Sequence, residues 1–269
     1  MSLPSISALV VSFHTGPRLH ECLYALLGDP DVDEIVIVDN GNPGQEIAWL
    51  KRFSTDYPKA KLLSGGGNVG FGAGVNAGAK EASGEVLLII NPDAVLRRGS
   101  MAPLIDAMNG RPSPCIVGGK IFGVNGQEER GGRRNTLTLA SALGLAKWTL
   151  EDEPLPEGPI AVGAISGAFF ALSRPDFDSL QGFDEEYFLH VEDVDLCRRA
   201  LEAGGSVIFQ PLAGALHYTS TSDVPSPVVV SHKATSLKRY FRKFAKGSIE
   251  RFVLACAFPF IGLALRLRG

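Results

Sequence analysis

The chain has 269 residues, 45% of them apolar, enough to bury a full core, which excludes general disorder. The formal charge of −3 hides an asymmetry: from His232 onward nine Lys and Arg stand against one acid, so the tail carries +8 and the rest −11. An imbalance of this kind is how a chain attaches to an anionic surface, either nucleic acid or lipid headgroups.

In chain order, strand-like runs are predicted at Ser7 to Phe13, Glu34 to Asp39, Ala60 to Ser64 and Glu85 to Asn91, with helices at Arg18 to Leu27, Glu46 to Tyr57 and Gly74 to Ala82 between them. Repeated β-α-β units of this length imply an α/β fold with a mostly parallel, Rossmann-like sheet flanked by helices. A less regular stretch from Gly110 to Gly163 holds a strand at Cys115 to Phe122, a Gly- and Arg-rich run from Gly126 to Asn135, and a helix near Leu137 to Leu150. A strand at Ala164 to Ser173, a turn at Gln181-Gly182 and a helix from Val191 to Ala203 follow, the helix ended by Gly204-Gly205. The strand Ser206 to Gln210 then leads to His217.

The four cysteines are widely spaced, form no CxxC pair and read as reduced core residues. No basic segment followed by a long apolar one precedes the first strand, so cytoplasmic retention is expected.

In a parallel sheet, ligands sit beyond the carboxyl ends of the strands. Those ends read Ser12-Phe13-His14, Asp39-Asn40-Gly41, Gly65-Gly66-Gly67-Asn68 and Asn91-Pro92-Asp93. Asp93, a carboxylate at the sheet mouth, suits a hard cation such as Mg2+ or Mn2+ that takes its remaining ligands from water and phosphate. Alone, such an Asp also fits a turn or a helix cap. Glu192, Asp193 and Asp195 crowd one helix start, where the macrodipole welcomes negative charge; one or two of them can face a pocket while another caps. His217, taken alone, fits a hydrogen-bonded structural histidine as well as a ligand. Gly65 to Gly70 also satisfies G-x-G-x-x-G, the mark of a dinucleotide-binding oxidoreductase, but it follows the third strand instead of the first.

Taken together, Val38-Asp39-Asn40, the run Asn68 to Asn76, Asn91-Pro92-Asp93-Ala94, Gly182-Phe183-Asp184-Glu185, Glu192 to Cys197 and His217 resemble family 2 glycosyltransferases, most of all their rhamnosyltransferase branch, which uses dTDP-rhamnose. The resemblance runs from about residue 6 to 245 and implies a GT-A fold. By it, Asp39 contacts the nucleoside, Asn68, Gly70, Asn76 and Asn91 line the donor site, Asp93 and His217 hold the metal and diphosphate, and Asp193 is the general base. Asn91 stands where many relatives carry the first Asp of DxD, and His14 stands where Asn is usual. The implied activity is inverting sugar transfer from a nucleotide-sugar donor to a polyprenyl-linked or polysaccharide acceptor. A silent sugar-nucleotide-binding protein and a nucleotidyltransferase are the other readings, though the basic triphosphate loop of the latter is missing. Glu192, Arg133 and Arg134 are candidate acceptor contacts; a solvated loop is the alternative for the arginines.

The expected organisation is a catalytic domain over 1–231, divided at about residue 110 into nucleotide and acceptor halves, followed by a basic amphipathic tail over 232–269. The apolar run Phe252 to Leu265 is too short to span a bilayer and carries Pro259 midway, so it reads as a segment lying in the interface of an anionic membrane. Nucleic acid is disfavoured because a bare apolar run gains nothing from phosphates. The alternative is a C-terminal helix packed on the domain or on another subunit.

Overall fold

The computed structural model describes residues 3–218, 226–247, 254 and 258. Its elements are β1 (Ile6–Ser12), α1 (Pro17–Gly28), β2 (Glu34–Asp39), α2 (Gly44–Asp56), β3 (Ala60–Leu63), α3 (Phe71–Glu81), β4 (Val86–Ile90), β5 (Ala94–Leu96) and α4 (Met101–Met108) in the first part of the chain. The second part holds β6 (Cys115–Phe122), β7 (Arg133–Arg134), α5 (Leu139–Ala142), β8 (Ile160–Ala161), β9 (Ala164–Ile165), β10 (Phe169–Ser173), α6 (Arg174–Ser179), α7 (Glu192–Glu202), β11 (Ser206–His217) and α8 (Ser226–Phe244).

Every residue of β1, β2 and β4 is buried, as a strand covered on both faces requires. The nine-stranded sheet runs β3-β2-β1-β4-β10-β6-β11-β5, with β8 on the side of β11. The half from β3 to β4 is parallel, but β10 enters antiparallel between β4 and β6, and β5 pairs antiparallel with β11. Alternate residues of the strands feed two apolar cores: Ala8 and Val10 pack with α1, α2 and α4, whereas Leu9 and Val11 pack with α3, α6, α7 and α8.

Helix α3 begins at Phe71, three residues before its predicted start. Gly72 and Gly74 are poor helix formers, but a Cβ on Gly74 would meet Val11 at 2.8 Å, so the glycine lets the helix lie directly on the sheet. The helix predicted over 137–150 is one turn only: Thr138 and Ser141 form a capping box, and Gly144 at φ 79 then closes the turn. Beyond it the chain runs extended beside β7, with Asn135 donating to Trp148 O at 2.7 Å. The strand predicted over 164–173 is broken into β9 and β10 at Ser166-Gly167, and β11 extends past Gln210 through a register shift to His217.

Helix α8 crosses residue 231, the expected domain boundary, and packs on the body of the fold. Leu237, Tyr240 and Phe241 are buried in the α7-side core. Lys243 pairs with Asp184 and Asp195, each at 2.7 Å, and Arg239 pairs with Asp184 at 2.8 Å. Two of the bases counted toward a membrane anchor are therefore ion-paired within the protein. The apolar run 252–265 lies outside the described residues apart from Leu254, which is buried, and Phe258, half-buried against the same core. Among the described residues no helix is long and apolar enough to cross a membrane. Cys22, Cys115 and Cys197 are buried and unpaired, as predicted, and Cys256 lies outside the described residues.

Candidate active site

The register of the sheet brings together residues distant in sequence. His217 ends β11 opposite Ala94 of β5, so its imidazole meets the side chain of Asp93, with Nε2 3.1 Å from Oδ1. The Asn91 amide lies 3.3 Å from the same Nε2, and Nδ1 of the ring is 2.6 Å from Glu129 Oε2. Asp93 and His217 are both nearly buried.

A second acid arrives through the interrupted strand. Asn91 N donates to Ala168 O at 2.9 Å, and the preceding residue, Gly167, donates its N–H to Asp193 Oδ2 at 2.9 Å. The Asn91-Asp93 turn and Asp193 thus meet at the mouth of β4 and β10. A Cβ on Gly167 would lie 3.3 Å from Asp193 Cβ and 3.6 Å from the Phe71 ring, so this glycine separates Asp193 from the start of α3. Arg134 Nη2 bonds Asp193 Oδ2 at 2.5 Å and Ile165 O at 2.6 Å, and Val194 N donates to Asp193 Oδ1 at 2.8 Å.

The entry to α7 is strained. His190 and Val191 take φ of 67° and 72°, left-handed values that cost about 1–3 kcal/mol each for residues with a Cβ. Contacts on both sides hold the segment: Phe71 N donates to Phe188 O at 3.1 Å, and Ser236 of α8 donates to Leu189 O at 2.9 Å. Gly70 permits the first of these, because at φ 91 its Cβ would strike Phe188 O at 2.6 Å. The helix cap is Val191, so none of the three acids caps α7. Asp195 is wholly buried and bonded to Tyr187, Arg199 and Lys243, a structural role.

The donor-side residues divide. Asp39 Oδ1 accepts from the N–H groups of Gly41 and Asn42 and from the Asn42 amide, which shapes the loop after β2. Asn68 Oδ1 accepts from Asn40 at 3.0 Å and from Gly70 N at 3.2 Å, and ties that loop to the glycine run. Asn76, predicted to line the donor site, is instead consumed in structure: it bonds Phe183 N, Phe183 O and Glu185, stapling the Gly182–Glu185 turn to α3. Arg133 likewise points away from Asp193, being held by Glu128 at 2.8 Å and by Glu153 O at 2.7 Å. Arg134 alone of the pair reaches Asp193. Asn40 belongs to the strand-end motif Val38-Asp39-Asn40, whereas Glu129 and Gly167 join the site unannounced by any sequence signal.

The electrostatics separate neighbouring acids. Burial opposes ionisation of Asp193, but Arg134 and the N–H groups of Gly167 and Val194 outweigh it and hold the carboxyl below its ordinary range. Burial, with the Asp193 charge, pushes Glu192 up to about 8. Glu192 Oε2, His190 Nε2 and Arg134 Nε are buried without a hydrogen-bond partner among the described residues. Burial pulls His190 down to about 4; it also works against a charged His217, but the carboxylates of Asp93 and Glu129 raise that ring to about 9.

These shifts fix a pH dependence of stability. Between about 4.5 and 8 the fold keeps a proton on Glu192 that the unfolded chain has released, and between about 6.5 and 9 it does the same on His217. Both contributions are lost as pH rises; His190, which refuses a proton that the unfolded chain accepts, acts in the opposite sense only between about 4 and 6.5. In excess chelator the melting temperature should therefore fall steadily from about pH 6.5 to 9, and less steeply in Glu192→Gln. Thermal unfolding across that range checks it; a flat or rising curve refutes the assignment.

The donor set suits a hard divalent cation. Ligands in adjacent positions on an octahedral ion with bonds of about 2.1 Å lie about 3 Å apart, which matches the 3.1 Å between Asp93 Oδ1 and His217 Nε2. Among the described residues no group of three or more His, Cys, Asp or Glu side chains is arranged to hold a metal. Protein donors limited to Asp93 and His217 leave the remaining positions for water and substrate oxygens, the usual arrangement for Mg2+ and its neighbours.

Residues 7–179 match the profile of Glycosyl transferase family 2. The chain belongs to this family. It is a glycosyltransferase. Its sequence is 28% identical over 256 residues to N-acetylglucosaminyl-diphospho-decaprenol L-rhamnosyltransferase of Mycobacterium tuberculosis, covering 86% of this chain and 82% of the relative. It is 25% identical over 222 residues to rhamnosyltransferase WbbL of Escherichia coli, covering 78% and 82%. Among solved structures, GalNAc-T7 with UDP, GalNAc and Mn2+ superposes with a TM-score of 0.69 at 19% identity, over 89% of this chain and 48% of that one. The mannosyltransferase PcManGT of Pyrobaculum calidifontis, with GDP-Man and Mn2+, gives 0.60 at 17% identity, over 98% and 73%. The expected GT-A fold is thereby shown; the pairings of β10 add an antiparallel strand that the sequence pattern did not separate from its parallel neighbours.

Proposed function

We propose that this chain is an inverting rhamnosyltransferase that moves rhamnose from dTDP-rhamnose to a hydroxyl of a polyprenyl-diphosphate-linked sugar or a growing cell-surface polysaccharide. The observation that carries this is the meeting of the Asn91-Asp93 turn and Asp193 at Gly167-Ala168. It gives one cleft a cation-binding corner and, beside it, an ionised carboxylate paired with Arg134. Two relatives named for rhamnosyl transfer support the choice of sugar, and the decaprenol-linked substrate in one name supports the class of acceptor.

In this mechanism Asp39, Asn68, Gly70 and Asn91 bind the donor in the nucleotide half, residues 1 to about 110. Asp93 and His217 hold Mg2+ or Mn2+, which when bound stabilises charge developing on the departing diphosphate. Asp193 accepts the proton of the acceptor hydroxyl as that oxygen attacks the anomeric carbon, and one displacement inverts the centre. Arg134 keeps Asp193 ionised and oriented. The unpartnered buried atoms of His190, Glu192 and Arg134 offer both donors and an acceptor to sugar hydroxyls in the second half of the domain.

The residues after α8 seat the enzyme on the inner face of an anionic membrane, where Arg251, Arg266 and Arg268 bracket the apolar run. One experiment tests both parts. Labelled dTDP-rhamnose and Mn2+ are given to the protein with anionic vesicles carrying a polyprenyl-diphosphate-linked acceptor. Label should pass to the lipid with inversion, and the protein should float with the vesicles. With Arg251, Arg266 and Arg268 all changed to Glu, partitioning should fall about a hundredfold, at about 1 kcal/mol for each base lost. Absence of transfer from every nucleotide sugar tried would overturn the activity; unchanged flotation of the triple variant would overturn the membrane seat.

A further inference from the structure

His217 stands between two carboxylates, and only one of them belongs to the cation corner. Its Nε2 faces Asp93 Oδ1 at 3.1 Å, and its Nδ1 meets Glu129 Oε2 at 2.6 Å. An ionised carboxylate can only accept, so a bond this short on Nδ1 requires a proton there. By the same rule the 3.1 Å contact with Asp93 puts a second proton on Nε2 of the ring as it stands; a cation between His217 and Asp93 would take the place of that proton, leaving Nδ1–H on Glu129 and the Nε2 lone pair turned toward Asp93. The other tautomer would aim an N–H at the place where the two ligands converge.

Glu129 is itself fixed. Its N–H donates to Ile121 O at 2.8 Å, its carbonyl accepts from Gly132 N at 3.1 Å, and Glu128 beside it bridges to Phe122 and pairs with buried Arg133. The loop that carries it therefore rests on the end of β6, and five residues later it delivers Arg134 to Asp193. One short stretch of chain thus touches His217 at one end and Asp193 at the other.

We propose that Glu129 is a positioning residue for divalent-cation binding: it selects the Nδ1–H tautomer of His217 and holds the ring so that Nε2 and Asp93 can share one ion. The proposal rests on the reading of Asp93 and His217 as the cation pair. It uses a residue 88 positions from its partner and assigns the Gly- and Arg-rich loop a role in the donor corner. Carboxylates on the far nitrogen of a ligating histidine are a general means of orienting it, and their removal weakens metal binding by about 10- to 100-fold.

The test measures Mn2+ affinity directly, by electron paramagnetic resonance of the free ion in the presence of dTDP, for the full chain and for Glu129→Gln, Glu129→Ala, His217→Ala and Asp93→Ala. Glu129→Ala should bind Mn2+ about 10- to 100-fold more weakly. Glu129→Gln, whose carbonyl still accepts from Nδ1–H, should lose less than Glu129→Ala. Saturating Mn2+ should restore kcat in both, because the ring is only misdirected; a merely structural role for the loop would instead lower kcat at all Mn2+ concentrations through Arg134 and Asp193. Nitrogen chemical shifts of His217 in the Mg2+ form should report Nδ1–H in the unaltered protein and mixed tautomers in Glu129→Ala. Wild-type Mn2+ affinity in both Glu129 variants, with binding lost in His217→Ala and Asp93→Ala, overturns the inference and leaves the cation pair standing. Wild-type affinity in all four overturns the cation pair and this inference with it. If Glu129→Ala fails to fold, Glu129→Leu, which fills the same space without an acceptor, decides in its place, and wild-type Mn2+ affinity together with unmixed Nδ1–H in it refutes the role.

Discussion

Asp193→Asn should lower turnover by about 10² to 10⁴ while donor affinity stays close to that of the unaltered protein, because a placed base contributes on that scale and Asp193 does not belong to the cation corner. The amide is isosteric, and its one oxygen can still accept from Gly167 N and Arg134 at the Oδ2 position, while the bond from Val194 N is given up; the contacts of Phe188 and Leu189 remain, so the entry to α7 should survive. The capacity to take a proton disappears. Glu192 should not substitute: burial is the larger cause of its rise to about 8, and burial persists when the Asp193 charge, the smaller cause, is removed. The two neighbouring acids are thus driven apart, one ionised and one neutral, the usual mark of a divided acid-base site. A carboxylate held low by Arg134 is a weak base toward a free alcohol, but the hydroxyl acidifies steeply as its bond to the anomeric carbon forms, so transfer comes late and a low-lying acceptor suffices. Steady-state kinetics with nucleotide binding measured separately decide the matter: near-normal turnover in Asp193→Asn would remove Asp193 from the role, and loss of donor binding would give it a different one.

Much of the fold was written in local patterns. Strands β1, β2 and β4 are continuous runs of β-branched and apolar residues, and their burial on both faces follows directly. Strand direction is not a local property: Phe169–Ser173 reads like its parallel neighbours, and only its pairing with β4 and β6 makes it antiparallel. The helix expected over 137–150 failed because Gly144 can close a Schellman turn as readily as it can sit in a helix, and the following residues found partners beside β7.

The site was legible where it lies at strand ends and illegible where it depends on side chains crossing the sheet. Asp93, Asp193 and His217 follow or begin regular elements, and their neighbours in sequence mark them. Asn76 carried the same kind of mark, yet its amide found Phe183 and Glu185 on a turn more than 100 residues away. Glu129 had no mark at all, since a glutamate in a Gly- and Arg-rich loop looks solvated until β11 brings His217 to it. The basic helix α8 misled for a related reason: a stripe of Lys and Arg beside buried Leu237 and Tyr240 has the same period whether the charges meet lipid or the Asp184 and Asp195 carboxylates.

Asp93→Ala should abolish the response to divalent cations. In the proposed site Asp93 is one of the two residues that would hold the cation, and it supplies the formal negative charge of the Asn91-Pro92-Asp93 turn, since Asn91 is neutral. Without it, His217 keeps Glu129 on Nδ1 but faces no carboxylate across Nε2, so a cation there would have one neutral protein ligand and whatever the diphosphate offers. Removal of a preorganised stabiliser of developing charge costs about 10² to 10³ in rate, and added Mn2+ should not recover it. Donor affinity should become the same with Mn2+ as in chelator. The antiparallel pairing of Ala94 with His217 is made by backbone and should persist, so the melting temperature in chelator should change far less than the turnover. Metal titration of rate and of nucleotide binding in Asp93→Ala, beside the unaltered protein in excess chelator, gives the answer. Full activity of the unaltered protein without free cation, or a Mn2+ response retained by Asp93→Ala, would mean that the diphosphate is neutralised by other groups of the cleft.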